Sequence, residues 1–331
     1  MPNDFTRIVA GAVTVLLAGG LALGTTHHQP ATASRQQPAT ASQPGSASSI
    51  ALDSFGSKPD RFRSKPLIGS SVSSSDTLAE ETAEFGTLPI VRVFYPGLPA
   101  ADAWSTGLAR ANNSAVIVSF SADPSAVISG SDNAALAQFF DTAPTGHAIY
   151  YSYYHEPEDN IAAGQFTAAQ YRQAWGVIAS IADQADNRDL HSTLILMSYD
   201  LRPASHRNWR DYLPAGKVIS TLGWDAYPAG STGRGTMKLT PPRRFMGRAV
   251  AASKSAGLPF GFAEFGTSLV TGRAAWLTSV GKYLVSSGAL FGTLFDASGP
   301  QPSMALTDSA SISAWHNVVA QSDQAHGISD S

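Results

Sequence analysis

The sequence predicts a (β/α)8 barrel, and three observations carry the prediction. Short apolar or β-branched runs alternate with longer helical patterns, the repetition of a parallel sheet covered on both faces. The chain has 331 residues, ample for one large core, and a single barrel of this kind uses about 250. Two glutamates, Glu156 and Glu264, each close an apolar or aromatic run. They lie 108 residues apart, or three strand–helix units of about 36 residues each, which brings both to the C-terminal rim of such a barrel.

Taken in order, the chain opens on a short head containing Arg7, then an apolar run from Ile8 to Leu23 and polar Gly24-Thr25-Thr26. That length suits a secretory signal better than a membrane span, so residues 1–26 are expected to direct export. Ala31-Thr32-Ala33 offers a cleavage site some way downstream. Asp4 weakens the positive head, and an uncleaved anchor holding the protein at the cell surface is the alternative. Residues 27–49 are almost all Ala, Ser, Thr, Gln, Pro, Gly and His, a linker composition that cannot bury apolar surface. The folded domain is expected over 50–322, with a polar tail over 323–331.

Eight strands are predicted within that domain: Pro66–Ser70, Ile90–Tyr95, Ala115–Ser121, Ala148–Tyr154, Thr193–Ser198, Val218–Trp224, Pro259–Glu264 and Ala289–Phe295. The clearest helix is Ala168–Ala185, where Tyr171, Trp175 and Ile178 recur near 3.6-residue spacing. Ala134–Phe140, Arg243–Ser255 and Arg273–Ser286 are the others. The fifth unit reads as a long polar loop, Asp200 to Trp209, where a subsite would be built; Trp209 is as readily packing as binding.

Composition excludes little but usefully. A net charge of −3 with only 14% charged residues suggests neither a nucleic-acid partner nor an acidic tail. There is no cysteine, hence no disulfide framework and no thiol for lipid attachment. A monomer is the default.

The chemistry lies in two phrases. In Tyr153-Tyr154-His155-Glu156-Pro157, the proline fixes its own φ and disfavours the α region for Glu156, predicting a stiff extended stub at the rim. Glu158 and Asp159 read as solvated loop charges. In Phe262-Ala263-Glu264-Phe265-Gly266, a carboxylate ends an otherwise apolar strand and must be paired or hydrogen-bonded, either in a structural ion pair or as a nucleophile. Two carboxyl groups facing each other across a pocket are what a retaining glycosidase needs, one protonated and one ionised. No metal or cofactor is implied. A zinc peptidase needs a second histidine where Asp159 stands, His155 is alone at the strand ends, and neither a G-x-S-x-G elbow nor a phosphate loop occurs.

With these residues in place, the region from about 50 to 322 resembles the clan A retaining glycoside hydrolases. In that clan the acid/base glutamate follows the fourth strand and the nucleophile follows the seventh. His155 directly before Glu156 is most similar to family 26, the β-mannanase-like family. The resemblance implies an acid/base role for Glu156 and a nucleophile role for Glu264. Arg92, in Ile90-Val91-Arg92-Val93-Phe94, resembles the clan's arginine near the end of the second strand. Tyr227, in Trp224-Asp225-Ala226-Tyr227-Pro228, resembles its tyrosine after the sixth. Both would favour ionised Glu264; the plainer readings are a surface arginine and a packed tyrosine. His155 would bond substrate or orient Glu264. The family's tryptophan after the eighth strand is missing. Trp224 would replace it as a sugar platform, or is simply buried. Asp225 and Asp296 would bind sugar hydroxyls or cap the helices and turns after their strands. The implied activity is hydrolysis of a β-linked polysaccharide, mannan-type favoured and endo-acting. The alternatives are a non-catalytic carbohydrate-binding barrel at the cell surface and the same chemistry on an envelope or capsular polysaccharide.

Overall fold

The computed structural model describes residues 65–72, 75–111, 114–228, 238–297 and 303–326. The expected export signal and linker lie outside these residues. Eight parallel strands close into one barrel in chain order: β1 Leu67–Ser71, β2 Ile90–Tyr95, β3 Ala115–Phe120, β4 Ile149–Tyr153, β5 Leu190–Met197, β6 Thr221–Asp225, β7 Phe260–Phe265 and β8 Phe291–Leu294. All eight overlap the runs read as strands. The sequence-based bounds err mainly at β5, which begins three residues earlier, and at β6, which begins three later.

The helices are α1 Ser75–Phe85, α2 Pro124–Ser129, α3 Asn133–Asp141, α4 Glu158–Ala162, α5 Ala168–Gln184, α6 Pro242–Ala256, α7 Arg273–Ser287 and α8 Ser309–His326. Helix α5 starts with a capping box. The Gln170 amide donates to Thr167 Oγ1 (3.2 Å) while the Thr167 amide donates to Gln170 Oε1 (2.9 Å), satisfying two donors that the first turn leaves without partners. After β2 and β5 the chain makes turns and short 3-10 segments in place of an α-helix. The polar tail expected from 323 is corrected in part: α8 continues to His326, and Asp323 is buried against the body. No helix among the described residues is long and apolar enough to cross a membrane.

Strand alternation divides the core. Leu67, Ile90, Ile117, Tyr150, Ile195 and Phe291 form a cluster inside the barrel. Their strand neighbours, such as Val91, Val118, Tyr151 and Leu194, join the larger cluster with the helices. The interior is closely filled, as in barrels of this class. At Gly261 an added Cβ would lie 2.4 Å from the Phe291 ring, so only glycine admits that ring. Above this plug, the C-terminal strand ends carry polar groups, and the candidate site sits there.

Candidate active site

Arg92 follows Ile90 by two residues on β2 and shares its inward direction. Its guanidinium is fully buried and makes a two-point pair with Asp225 at the end of β6. Nη1 reaches Oδ1 at 2.6 Å and Nη2 reaches Oδ2 at 3.2 Å. The same Nη1 lies 3.4 Å from Glu264 Oε1, and the Phe94 ring lies 4.5 Å below the guanidinium carbon. Removing one partner from such a buried pair would strand a charge, at a cost of about 3–5 kcal/mol.

Glu264 reaches the site through an irregularity in β7. Strict alternation would put it on the face of Phe262, which packs outward among the helices. The ladder slips instead. Trp224 pairs with Phe262, but Asp225 pairs with Glu264, and the register against β8 shifts over the same residues. Ala263 and Glu264 thus both turn inward, the re-aiming that a β-bulge provides. The Tyr227 hydroxyl donates to Glu264 Oε2 at 2.7 Å. Arg202 holds Tyr227 from behind, donating to its carbonyl at 3.2 Å.

Glu156 completes the group. The extended stub expected from Pro157 is not what forms: Tyr154 and Glu156 have φ of 47° and 51°, in the left-handed region that non-glycine residues rarely occupy. Two kinks right after β4 carry the carboxyl back over the barrel mouth. The Glu156 amide is fixed by donating to the Ile195 carbonyl of β5 at 3.1 Å. One carboxyl oxygen each from Glu156, Asp225 and Glu264 lies within 4.8 Å of the others. The guanidinium of Arg92 already rests on two of these carboxylates, so the positive charge a metal would bring here comes from the protein.

The electrostatics separate the two glutamates. Burial, then the charges of Asp225 and Glu264, push Glu156 well above the usual carboxylate range, so it holds its proton and can donate it to Asp225. Burial and then Asp225 raise Glu264 to about 7, against the opposing pull of Arg92 and Tyr227. Arg92 and Tyr227 thus favour the ionised form, as the sequence suggested, while burial and Asp225 outweigh them. Burial and the Arg92 charge lower His155 to about 3. Its neutral ring leans on Phe94 at 5.3 Å. The bonded neighbours of Glu264 are Tyr227 and Arg92, so they orient it in place of His155.

Four expectations change. Trp224 is fully buried on the outer face of β6, donating to Ser253 Oγ of α6 at 2.9 Å and meeting Trp209 edge-on; it cannot be a sugar platform. Asp225 has both oxygens on Arg92, so it is an ion-pair partner first and no free hydroxyl binder. Asp296 accepts the Leu306 amide at 2.6 Å and anchors the segment after β8, the capping alternative. Glu158, expected in solvent, is fully buried. Its neighbour Asp200 arrives from the β5–β6 connection, which no local pattern around Glu158 announces.

No protein-family profile and no curated protein sequence matches the chain. Solved structures do. The catalytic domain of a family 26 endo-β-1,4-mannanase from Bacillus sp. JAMB-750 aligns with TM-score 0.54 at 13% identity, covering 78% of this chain and 86% of that one. A family 26 β-mannanase from Bacteroides ovatus aligns at 0.53 and 11%, covering 78% and 90%. An endo-β-1,4-glucanase from Xanthomonas axonopodis pv. citri, in a triply mutated form, aligns at 0.53 and 13%, covering 77% and 99%. At such identities the likeness is one of fold, the (β/α)8 barrel that these glycosidases share with this chain.

Proposed function

We propose that this protein is a secreted retaining β-glycosidase that cleaves a β-linked polysaccharide internally, with Glu264 as nucleophile and Glu156 as acid/base. One observation carries the reading: carboxyl oxygens of Glu156 and Glu264 within 4.8 Å at one barrel mouth. Retaining enzymes keep these groups about 5–5.5 Å apart, whereas inverting ones need about 6.5–9.5 Å for a water between them.

Ionised Glu264, steered by Tyr227 and Arg92, attacks the anomeric carbon as the glycosidic bond breaks. Glu156 passes its proton to the departing oxygen. The ester that forms removes the Glu264 charge, one of the causes raising Glu156. Glu156 then loses affinity for a proton and can take one from water, whose oxygen displaces the sugar from Glu264. Neutral His155 beside Glu156 keeps Nδ1 buried, which leaves only Nε2 for a sugar hydroxyl.

The fold neighbours named above are two mannanases and one glucanase, which supports an extended β-1,4-linked chain as substrate and keeps mannan the favoured sugar. Export rests on the apolar run Ile8–Leu23. The test is Glu264→Ala assayed for reducing ends on mannan, glucan and xylan. The variant is expected to be inactive and to regain turnover with added azide, which replaces the missing nucleophile. Wild-type activity in the variant would reject the assignment, and glycan binding by the native protein without release of reducing ends would favour a non-catalytic barrel.

A further inference from the structure

Two residues beyond Glu156, a second pair of acids is buried where the mechanism does not use it. Glu158 is fully enclosed, and its Oε1 accepts the Met197 amide at 2.7 Å. Its Oε2 is buried without a donor. Asp200, on the 3-10 turn Ser198–Leu201 just after β5, is also buried. Arg207 lies 3.4 Å from its Oδ1, while its Oδ2 is buried without a donor. The two carboxyls lie close enough for each to act on the other's charge. Two ionised carboxylates cannot bond each other, and leaving buried oxygens unpaired is costly. A single proton between them satisfies both.

We infer that Glu158 and Asp200 form a proton-sharing carboxyl pair that locks the β4–α4 turn onto β5 and thereby positions Glu156, a role that rests on Glu156 being the acid/base group. The turn is stitched to β5 twice, by the Glu156 amide on the Ile195 carbonyl and by Glu158 on the Met197 amide. Between the stitches the backbone passes through the positive φ of Glu156, a conformation that persists only when its surroundings impose it. The pair's surroundings fit one retained proton. Arg207 bridges Asp200 to Asp159, Tyr171 and Tyr212 present neutral hydroxyls from the flanking elements, and Asp225 and Glu156 face it from the site. Arg207 is the sole cation bonded to the pair among the described residues.

Glu158→Gln should preserve the clamp, since an amide oxygen can accept from Met197 while its NH2 donates to Asp200. Glu158→Ala removes it. On polysaccharide, Glu158→Ala is expected to lower kcat about 100-fold, the scale for a catalytic group misplaced by about 1 Å. Aryl glycosides with activated leaving groups, which need no proton, should keep most of their rate, and Glu158→Gln should stay within about threefold of wild type on both, too little to count as a misplaced catalytic group. Asp200→Leu, which breaks the pair from the β5 side, should repeat the alanine pattern and carries the test if Glu158→Ala does not fold. Equal losses of Glu158→Ala on both substrates, no loss, or a glutamine variant as impaired as the alanine one would overturn the inference. Glu156→Ala run alongside separates the two claims. If it shows leaving-group dependence and the Glu158 and Asp200 variants do not, only the positioning role falls; if it shows none, the acid/base assignment falls first.

Discussion

Tyr227→Phe isolates one bond in the candidate site. The hydroxyl donates to Glu264 Oε2 at 2.7 Å. The ring should stay in place, because Arg202 holds the residue through its backbone carbonyl. A hydrogen bond to a charged acceptor contributes about 1.5–3 kcal/mol, and one pH unit corresponds to about 1.36 kcal/mol. The bond favours the ionised carboxylate, so without it the proton stays on to higher pH. The acid limb of kcat/KM, set by Glu264 near 7 in the native protein, should move up by about one to two pH units. The assay is kcat/KM from about pH 5 to about pH 10 on an aryl glycoside whose leaving group needs no proton, which removes the contribution of Glu156. An unmoved limb, or one that moves to lower pH, would refute the role given to Tyr227.

Other substitutions probe the frame around the site. Burial and then Asp296 raise Glu81 on α1 from 4.5 to about 8. The folded protein therefore keeps a proton that the unfolded chain releases, and stability should fall as pH rises between those values. Glu81→Gln should remove that slope, so its Tm advantage over wild type grows from about pH 5 to about pH 9; a constant difference would contradict the burial argument. Gly261→Ala would press a methyl into the Phe291 ring, 2.4 Å from the added atom, and should cost about 1–3 kcal/mol in denaturant unfolding. Trp224→Phe loses the bond to Ser253 and part of the outer packing. It should destabilise by about 1–3 kcal/mol and leave KM unchanged, whereas a raised KM would return Trp224 to the substrate.

The barrel was legible because each strand is a buried run between helical patterns, so periodicity and length sufficed for β2, β3 and β4. Connections without an α-helix, after β2 and β5, were less so, because turns carry no period. Glu156 and Glu264 could be placed at one rim from their spacing, but neither could be aimed. The aim of Glu264 depends on a slip in β7 that pairing with β6 and β8 imposes. That of Glu156 depends on positive φ values where Pro157 argued for extension. Trp224 shows the converse. It sits one place before Asp225, and alternation alone turns it from the cavity to the helices. Glu158 looked like one charge in an acidic loop because Asp200, which meets it in the fold, lies more than 40 residues downstream.

The bidentate bond between Arg92 and Asp225 also sets the balance of ions at the barrel mouth. With Glu156 neutral, Asp225 and Glu264 carry two negative charges against the single positive charge of Arg92, leaving the cup with one net negative charge. In the proposed reaction, a glycosyl ring passing through an oxocarbenium-like state supplies the opposite sign for just that interval. The cup is thus most nearly neutral when the ring is halfway between its two bonds, and Asp225, which need never touch the sugar, supplies the missing unit.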